Sequence, residues 1–161
     1  MLKARTDTPP KNYRPCAGIV LINPMGLIFV GERQGADGDN WQMPQGGIDE
    51  GEAPIDAAMR ELFEETGVNQ IEFLAESTDW KCYIVPEKRR PRHWQGRYIG
   101  QCQRWFAFRF TGQDDTVNLN LHEPEFSLWR WASADDVIKT AVSFKRQVYE
   151  SVLNEFRPFL T

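Results

Sequence analysis

The stretch from Pro44 to Val68, PQGGIDEGEAPIDAAMRELFEETGV, constrains this chain more than any other. Two adjacent glycines, Gly46 and Gly47, precede a segment in which Ile55, Ala58, Met59, Leu62 and Phe63 recur at the spacing of one buried helical stripe. The pattern predicts a helix that starts near Ala53 and ends at Gly67, a residue suited to the left-handed turn that closes a helix. Glu61, Glu64 and Glu65 fall on it at i, i+3 and i+4, opposite much of that stripe. Like charges so placed cost roughly 0.2–0.5 kcal/mol per pair. One reading is a solvated acidic face. The other is a site where three hard oxygen ligands converge on Mg²⁺ or Mn²⁺ shared with substrate phosphates. Arg60 is placed to pair with Glu52 and pin the preceding loop to the helix. Gly46 and Gly47 would let the backbone pass close to a substrate or take a left-handed turn.

Around this segment the chain reads as strands. CAGIVLI (Cys16 to Ile22) and LIFVG (Leu27 to Gly31) are apolar runs split by NPMG, a hairpin turn, and the Gly- and Asp-rich ERQGADGDN follows as a loop. IEFLAEST, KCYIVP, YIGQCQRWFAFRFTG and FSLWRWAS continue the strand pattern. Ser133 then caps a final helix running to roughly Phe156. Strands interleaved with two unequal helices predict a mixed α+β fold, a sheet sandwiched between helices. No repeat or linker divides the 161 residues, so one domain is expected, with residues 1–12 a loose lead-in.

Composition narrows the class. An apolar fraction of 41% and 12% aromatic residues suit an ordinary globular chain, and no apolar run is long enough to span a bilayer. Without a signal-peptide core at the N-terminus, a cytoplasmic protein is expected. Cys16, Cys82 and Cys102 are dispersed and predict buried thiols in a reducing compartment rather than a zinc site. A net charge of −4 argues against a surface that binds nucleic acid all over, while leaving room for a local basic patch.

The run Gly46, Glu52, Arg60, Glu61, Leu62, Glu64, Glu65, Gly67 and Val68 resembles the Nudix signature without gap or exception. The resemblance implies a Nudix-type α/β/α sandwich with a mixed sheet and a catalytic loop–helix–loop. It also implies Mg²⁺-dependent hydrolysis of a nucleoside diphosphate linked to another group, with Mn²⁺ or another divalent ion able to substitute. Gly46, Glu61, Glu64 and Glu65 would be metal ligands, and Glu52 would pair with Arg60. Beyond the signature, YRPCAGIVL, WQMPQGGID, YIGQCQRWF, PEFSLWRW and AVSFKRQVYESV are similar to the branch containing bacterial RNA pyrophosphohydrolases and dinucleoside polyphosphate hydrolases. That similarity runs from about Tyr13 to Phe156.

Carried over by motif, Arg14 would contact substrate phosphates and Glu125 would complete the metal site. Phe144 would stack on a base, Lys145 would hold phosphate, and Val142 would line the same pocket. Arg33 would lie beside that pocket, and Tyr83 near the phosphates. Each has a plainer reading as well. Arg14 and Arg33 read as surface charges, Phe144 and Tyr83 as packed aromatics, and Glu123 rivals Glu125 from two residues away. Trp105, Phe106, Trp129 and Trp131 read as core, and His93 and His122 as surface residues with no dyad or zinc partner at a suggestive spacing.

The implied substrates are 5′-triphosphorylated RNA and dinucleoside polyphosphates such as diadenosine tetraphosphate, with no membrane and no obligate protein partner. Lys88, Arg89, Arg90, Arg92 and Arg97 form a basic segment that is either a solvated loop or a path for a nucleic-acid backbone. The ERQGADGDNW loop is longer than in the compact pyrophosphohydrolase pattern, and Asp37 and Asp39 add negative charge that weighs against long RNA. A non-catalytic binding module is the reading from another class, and the intact carboxylate set argues against it.

Overall fold

Alternation of side chains along two long strands decides the architecture. In the computed structural model, which describes residues 9–33 and 40–161, β1 (Tyr13–Ile22) runs parallel to β7 (Gly100–Phe110). Because successive strand residues face opposite sides, Ile19, Leu21, Phe106, Phe108 and Phe110 point one way, into a core completed by Ala57, Ala58 and Leu62. Val20, Ile22, Trp105 and Ala107 point the other way, toward Val137, Val148, Tyr149 and Val152. Each Val, Leu, Ile or Phe among them taken from water contributes ~1.5–3 kcal/mol. The first set packs on α1 (Pro54–Thr66), the second on α2 (Ala134–Thr140) and α3 (Arg146–Glu155). The expected α/β/α sandwich is therefore present.

The remaining strands are β2 (Ile28–Arg33), β3 (Trp41–Gln42), β4 (Gln45–Gly47), β5 (Ile71–Glu76), β6 (Lys81–Ile84) and β8 (Phe126–Ala132). All strands described join one eight-stranded mixed sheet. β4 lies antiparallel to the start of β1, with Gly46 opposite Ala17. β6 lies antiparallel to the start of β7, and β8 antiparallel to β2 with Arg33 opposite Phe126. These pairings gather Arg14, Gly46, Tyr83, Arg33 and the residue before Phe126 toward one end of the sheet. The NPMG turn forms as expected, with Asn23 Oδ1 accepting from the Met25 and Leu27 amides and Gly26 at φ 79°. Residues 34–39 lie outside the described residues, and with them Asp37 and Asp39; so do residues 1–8 of the lead-in. Among the described residues no helix is long and apolar enough to cross a membrane.

Three expectations need correction. The buried face of α1 is Ala57, Ala58, Leu62, Glu65 and Thr66, whereas Met59 and Phe63 are exposed. Packing on β1 and β4 turns the helix so that Glu65 enters the interior instead of standing outside the core. The final helix is not continuous either. At Ala141 and Val142 the chain is extended, a 3₁₀ turn follows over Ser143–Lys145, and α3 begins at Arg146. Arg146 stabilises the break by donating to the carbonyls of Ala141 (3.2 Å) and Lys139 (3.3 Å), acceptors that a continuous helix would have used itself. Lastly, Cys82 and Cys102 are not free thiols. The β6–β7 register sets them directly opposite on one face of the sheet, and they form a disulfide. Cys16 alone stays a buried thiol, so two of the three residues behind the reducing-compartment reading no longer support it.

Candidate active site

The loop before α1 is held by one guanidinium. Arg60 Nε and Nη2 each donate to Glu52 at 2.9 Å, and Nη2 also reaches the Gly47 carbonyl at 2.9 Å. Glu52 in turn accepts from the Asp49 amide, closing the turn. The hydrogen bonds from Arg60, then the Asp49 amide, hold the Glu52 carboxyl at about 2 against an ordinary 4.5. The Glu52–Arg60 pairing expected from the sequence is in place. Arg60 does more than that reading foresaw, since Nη1 also bonds Glu61 (2.9 Å) and Glu64 (3.3 Å).

The glycine pair serves side-chain approach rather than backbone torsion, for neither has a positive φ. A Cβ on Gly46 would stand 2.0 Å from the Glu61 carboxyl carbon. One on Gly47 would stand 2.3 Å from an Arg14 nitrogen. The pair thus lets a carboxylate and a guanidinium close in on β4 from opposite elements.

Beyond them opens a cavity of about 320 Å³. Glu61, Glu65 and Glu125 line it together with Arg14, Arg33, Arg89 and Lys145. Phe144 and Tyr83 form an aromatic wall with ring centroids 5.9 Å apart. Glu64 and Val142 are not among its lining residues, and Glu64 stays beside Arg60 on the rim. Glu125 lines the cavity and Glu123 does not.

The carboxylates are under electrostatic load. Glu65 is 5% exposed, and burial, then the charges of Glu61 and Glu125, push its carboxyl well above the usual range. Burial also raises Glu61, against the hydrogen bond from Arg60. Lys145 is buried opposite them, and burial followed by the Arg33 charge lowers its ammonium to about 8. The Lys145 Nζ lies 5.9 Å from the Tyr83 ring centre. Tyr83 donates its hydroxyl to Gln101 Oε1. Cys16 lies beneath Arg14 and is inert, its thiol raised to about 11 by burial.

These residues fit a divalent cation on chemical grounds. Buried and crowded carboxylates are costly unless a cation offsets them, and hard oxygens suit Mg²⁺ or Mn²⁺. Among the described residues, however, no group of three His, Cys, Asp or Glu side chains is gathered as a finished metal cage, and Arg60 engages Glu61 and Glu64. Glu61, Glu65 and Glu125 would hold the ion, with Glu64 joining once released from Arg60.

Several cavity residues carried no sequence signal. Gln42, Gln45 and Gln101 line it from strands, and Arg89, His93 and Trp94 from the segment after β6. Only the charge run from Glu87 to Arg97 hinted at the latter. His93, read as a plain surface residue, stands at the cavity wall.

Fold and site together define a Nudix hydrolase-type centre, and the family comparison agrees. The chain belongs to the Nudix family, whose domain model matches residues 12–152. It is 52% identical over 150 residues to a Cereibacter sphaeroides protein named RNA pyrophosphohydrolase, covering 92% of this chain and 93% of that one. A Wolbachia pipientis protein of the same name is 49% identical over 147 residues, covering 91% and 90%. Among solved structures, Escherichia coli dihydroneopterin triphosphate pyrophosphohydrolase superposes with a TM-score of 0.65 at 21% identity, covering 88% of this chain and 97% of that one. At that identity it speaks for the fold alone.

Proposed function

We propose that this chain is a metal-dependent RNA pyrophosphohydrolase that releases pyrophosphate from the 5′ end of triphosphorylated RNA. Asymmetric cleavage of dinucleoside polyphosphates, diadenosine tetraphosphate to ATP and AMP, would be a linked activity of the same centre. One observation carries the reading: a single cavity joins three carboxylates, four cationic side chains and an aromatic wall. That combination suits a polyphosphate with a base at one end. Relatives with the RNA pyrophosphohydrolase name, about half identical over nine-tenths of the chain, support the RNA form of it. Such a substrate is met in the cytoplasm.

In this reading Arg14, Arg33 and Lys145 hold the phosphates and offset the charge that builds as the phosphoanhydride breaks. Tyr83, oriented by Gln101, adds a hydroxyl beside them. Phe144 offers its ring to a base, as in other single-strand sites. A divalent ion, Mg²⁺ first and Mn²⁺ in its place, would supply Lewis-acid polarisation of the phosphoryl oxygens and a more acidic water. Glu61, Glu64, Glu65 and Glu125 would hold that ion, and Glu65 and Glu125 are the candidates to take the proton from attacking water. Water attacks phosphorus in line and pyrophosphate leaves, with no covalent enzyme intermediate.

A direct competition tests the reading. Triphosphorylated short RNA and diadenosine tetraphosphate are compared by kcat/KM at matched salt and metal, with products identified. A clear win for RNA with pyrophosphate released supports the proposal. A clear win for the dinucleotide makes RNA incidental, and turnover of neither leaves a binding module.

A further inference from the structure

β6 pairs with β7 alone, and three strands meet there residue for residue. Arg14 of β1, Gln101 of β7 and Tyr83 of β6 lie in one row, with the Tyr83 hydroxyl donating to Gln101, and all three line the cavity. The next row is Pro15, Cys102 and Cys82, and in it the two cysteines are bonded. Successive strand residues face opposite sides, so the disulfide sits behind the cavity, on the other face of the sheet from Tyr83 and Gln101. Cys82 is exposed, whereas Cys102 is buried. Beyond β6 the chain enters the 3₁₀ turns Glu87–Arg89 and Arg92–Trp94, which add Arg89, His93 and Trp94 to the cavity wall.

We propose that Cys82–Cys102 is a reversible redox site: a thiol reductant, one dithiol or two monothiols, opens it, and opening slackens the strand and wall that receive the substrate. The proposal rests on the RNA reading above for the substrate it regulates. That substrate belongs to a compartment where glutathione and thioredoxin keep thiols reduced, and a disulfide there is usually transient and redox-sensing. Exposed disulfides are the labile ones, and exposure puts the attack on Cys82. A reductant thiolate bonds to the Cys82 sulfur, the bond to Cys102 breaks, and Cys102 leaves as a thiolate that takes up a proton. A second reductant thiol then displaces Cys82, which is protonated in turn, so the reductant gives up two electrons and two protons and becomes a disulfide. Once open, β6 keeps its ladder to β7, the Lys81 ion pairs with Asp79 (3.3 Å) and Glu155 (3.2 Å), and the Val85 amide on the Ile99 carbonyl (2.9 Å). The fold survives on these contacts, but a four-residue strand without its cross-link opens more often. Tyr83 and the wall beyond it then spend less time in place. Glu61, Glu65 and Glu125 stand on α1 and at the start of β8, elements the disulfide does not tie, so substrate binding suffers rather than the chemical step.

The test counts thiols and measures turnover in the same samples of full-length protein, equilibrated in glutathione buffers of graded reduced-to-oxidised ratio. Alkylation under denaturing conditions should find one thiol, Cys16, at the oxidised end and all three at the reduced end, with the change reversed on return. KM for triphosphorylated RNA should rise about 3- to 10-fold in step with that count, with kcat within about twofold. Cys82→Ser should hold the raised KM at every ratio. Reduction should also speed hydrogen exchange at the β6 amides, which reads the strand without any substrate. A count that stays at one or at three throughout, or a KM unmoved as thiols appear, overturns the proposal, and so does a Cys82→Ser enzyme that still responds to the ratio. If RNA is left uncut while diadenosine tetraphosphate is cleaved, the RNA reading has failed, and KM for the dinucleotide judges the redox site separately. If neither is turned over, exchange at β6 decides: faster exchange in the reduced protein upholds the redox site, and equal rates sink it.

Discussion

Arg60 grips Glu52 with two hydrogen bonds of 2.9 Å while a third nitrogen of the same guanidinium holds Glu61. One side chain thus ties the loop of Gly47 to the helix that supplies the carboxylates, and it donates hydrogen bonds to two of them, Glu61 and Glu64. It is a brace for the loop and the helix alike.

Breaking the brace should cost stability as well as rate. Glu52→Gln is expected to lose about 1 kcal/mol, because one charge-assisted partner becomes neutral in a half-buried pair. Since the folded Glu52 carboxyl is depressed from 4.5 to about 2, its contribution is full above the unfolded value and is lost as pH falls through that interval. Melting temperatures of wild type and Glu52→Gln should therefore differ by a constant amount above pH 5 and converge below it. A gap that persists at pH 2 would mean the pairing is not what Glu52 contributes.

Glu65 runs in the opposite direction. Burial and its acidic neighbours raise its folded carboxyl, so the metal-free protein loses stability as pH climbs from the ordinary carboxylate range. Glu65→Gln should melt a few degrees higher than wild type at pH 7.5 without divalent ions, with 1 kcal/mol equivalent to roughly 2–4 °C. The same variant should lose at least ~10² in kcat. A metal-free variant that melts lower than wild type at pH 7.5 would contradict this account.

Much of this was readable in the residues, and the reasons for the rest are physical. The helix, its Gly67 terminus and the Glu52–Arg60 pair lie close in sequence, where spacing alone decides who meets whom. The break between Thr140 and Arg146 was not readable, because apolar and polar residues continue there at helical spacing and the interruption is stabilised by Arg146 folding back. That break matters, since it carries Phe144 and Lys145 to the cavity. Gln45 and Gln101 belong to strands whose register is set by distant partners, and β3 and β4 are too short to leave a periodic signal. The Cys82–Cys102 bond has the same origin: only the β6–β7 register makes them neighbours.

Gly46 should tolerate no side chain without a change at Glu61. An added methyl would sit 2.0 Å from the Glu61 carboxyl carbon and 2.3 Å from Oε2, and that flexible end of the side chain is what must yield. Gly46→Ala is expected to fold, to lose at least ~10-fold in kcat, and to need more divalent metal for half-maximal rate. A metal titration beside a thermal melt separates the two effects. Unchanged metal dependence would mean that Glu61 does not hold the ion from its place beside Gly46.

The loop glutamates give the sharpest comparison. Glu125 precedes Phe126, whose ring is buried and whose backbone pairs with Arg33, so the strand end delivers Glu125 to the cavity beside Glu65. Glu123 is exposed and lines no part of that cavity. Both are solvent-accessible carboxylates two residues apart, so a neutral amide at either should leave the fold unchanged to within about 0.5 kcal/mol. Their kinetics should separate. Glu125→Gln should lower kcat by ~10–10³, the range of a lost general base or metal-orienting group. Glu123→Gln should stay within about twofold of wild type. Steady-state rates for the two variants from pH 6 to 9, at saturating metal, decide the matter, and the reverse ranking would assign the cavity's last carboxylate to the wrong glutamate.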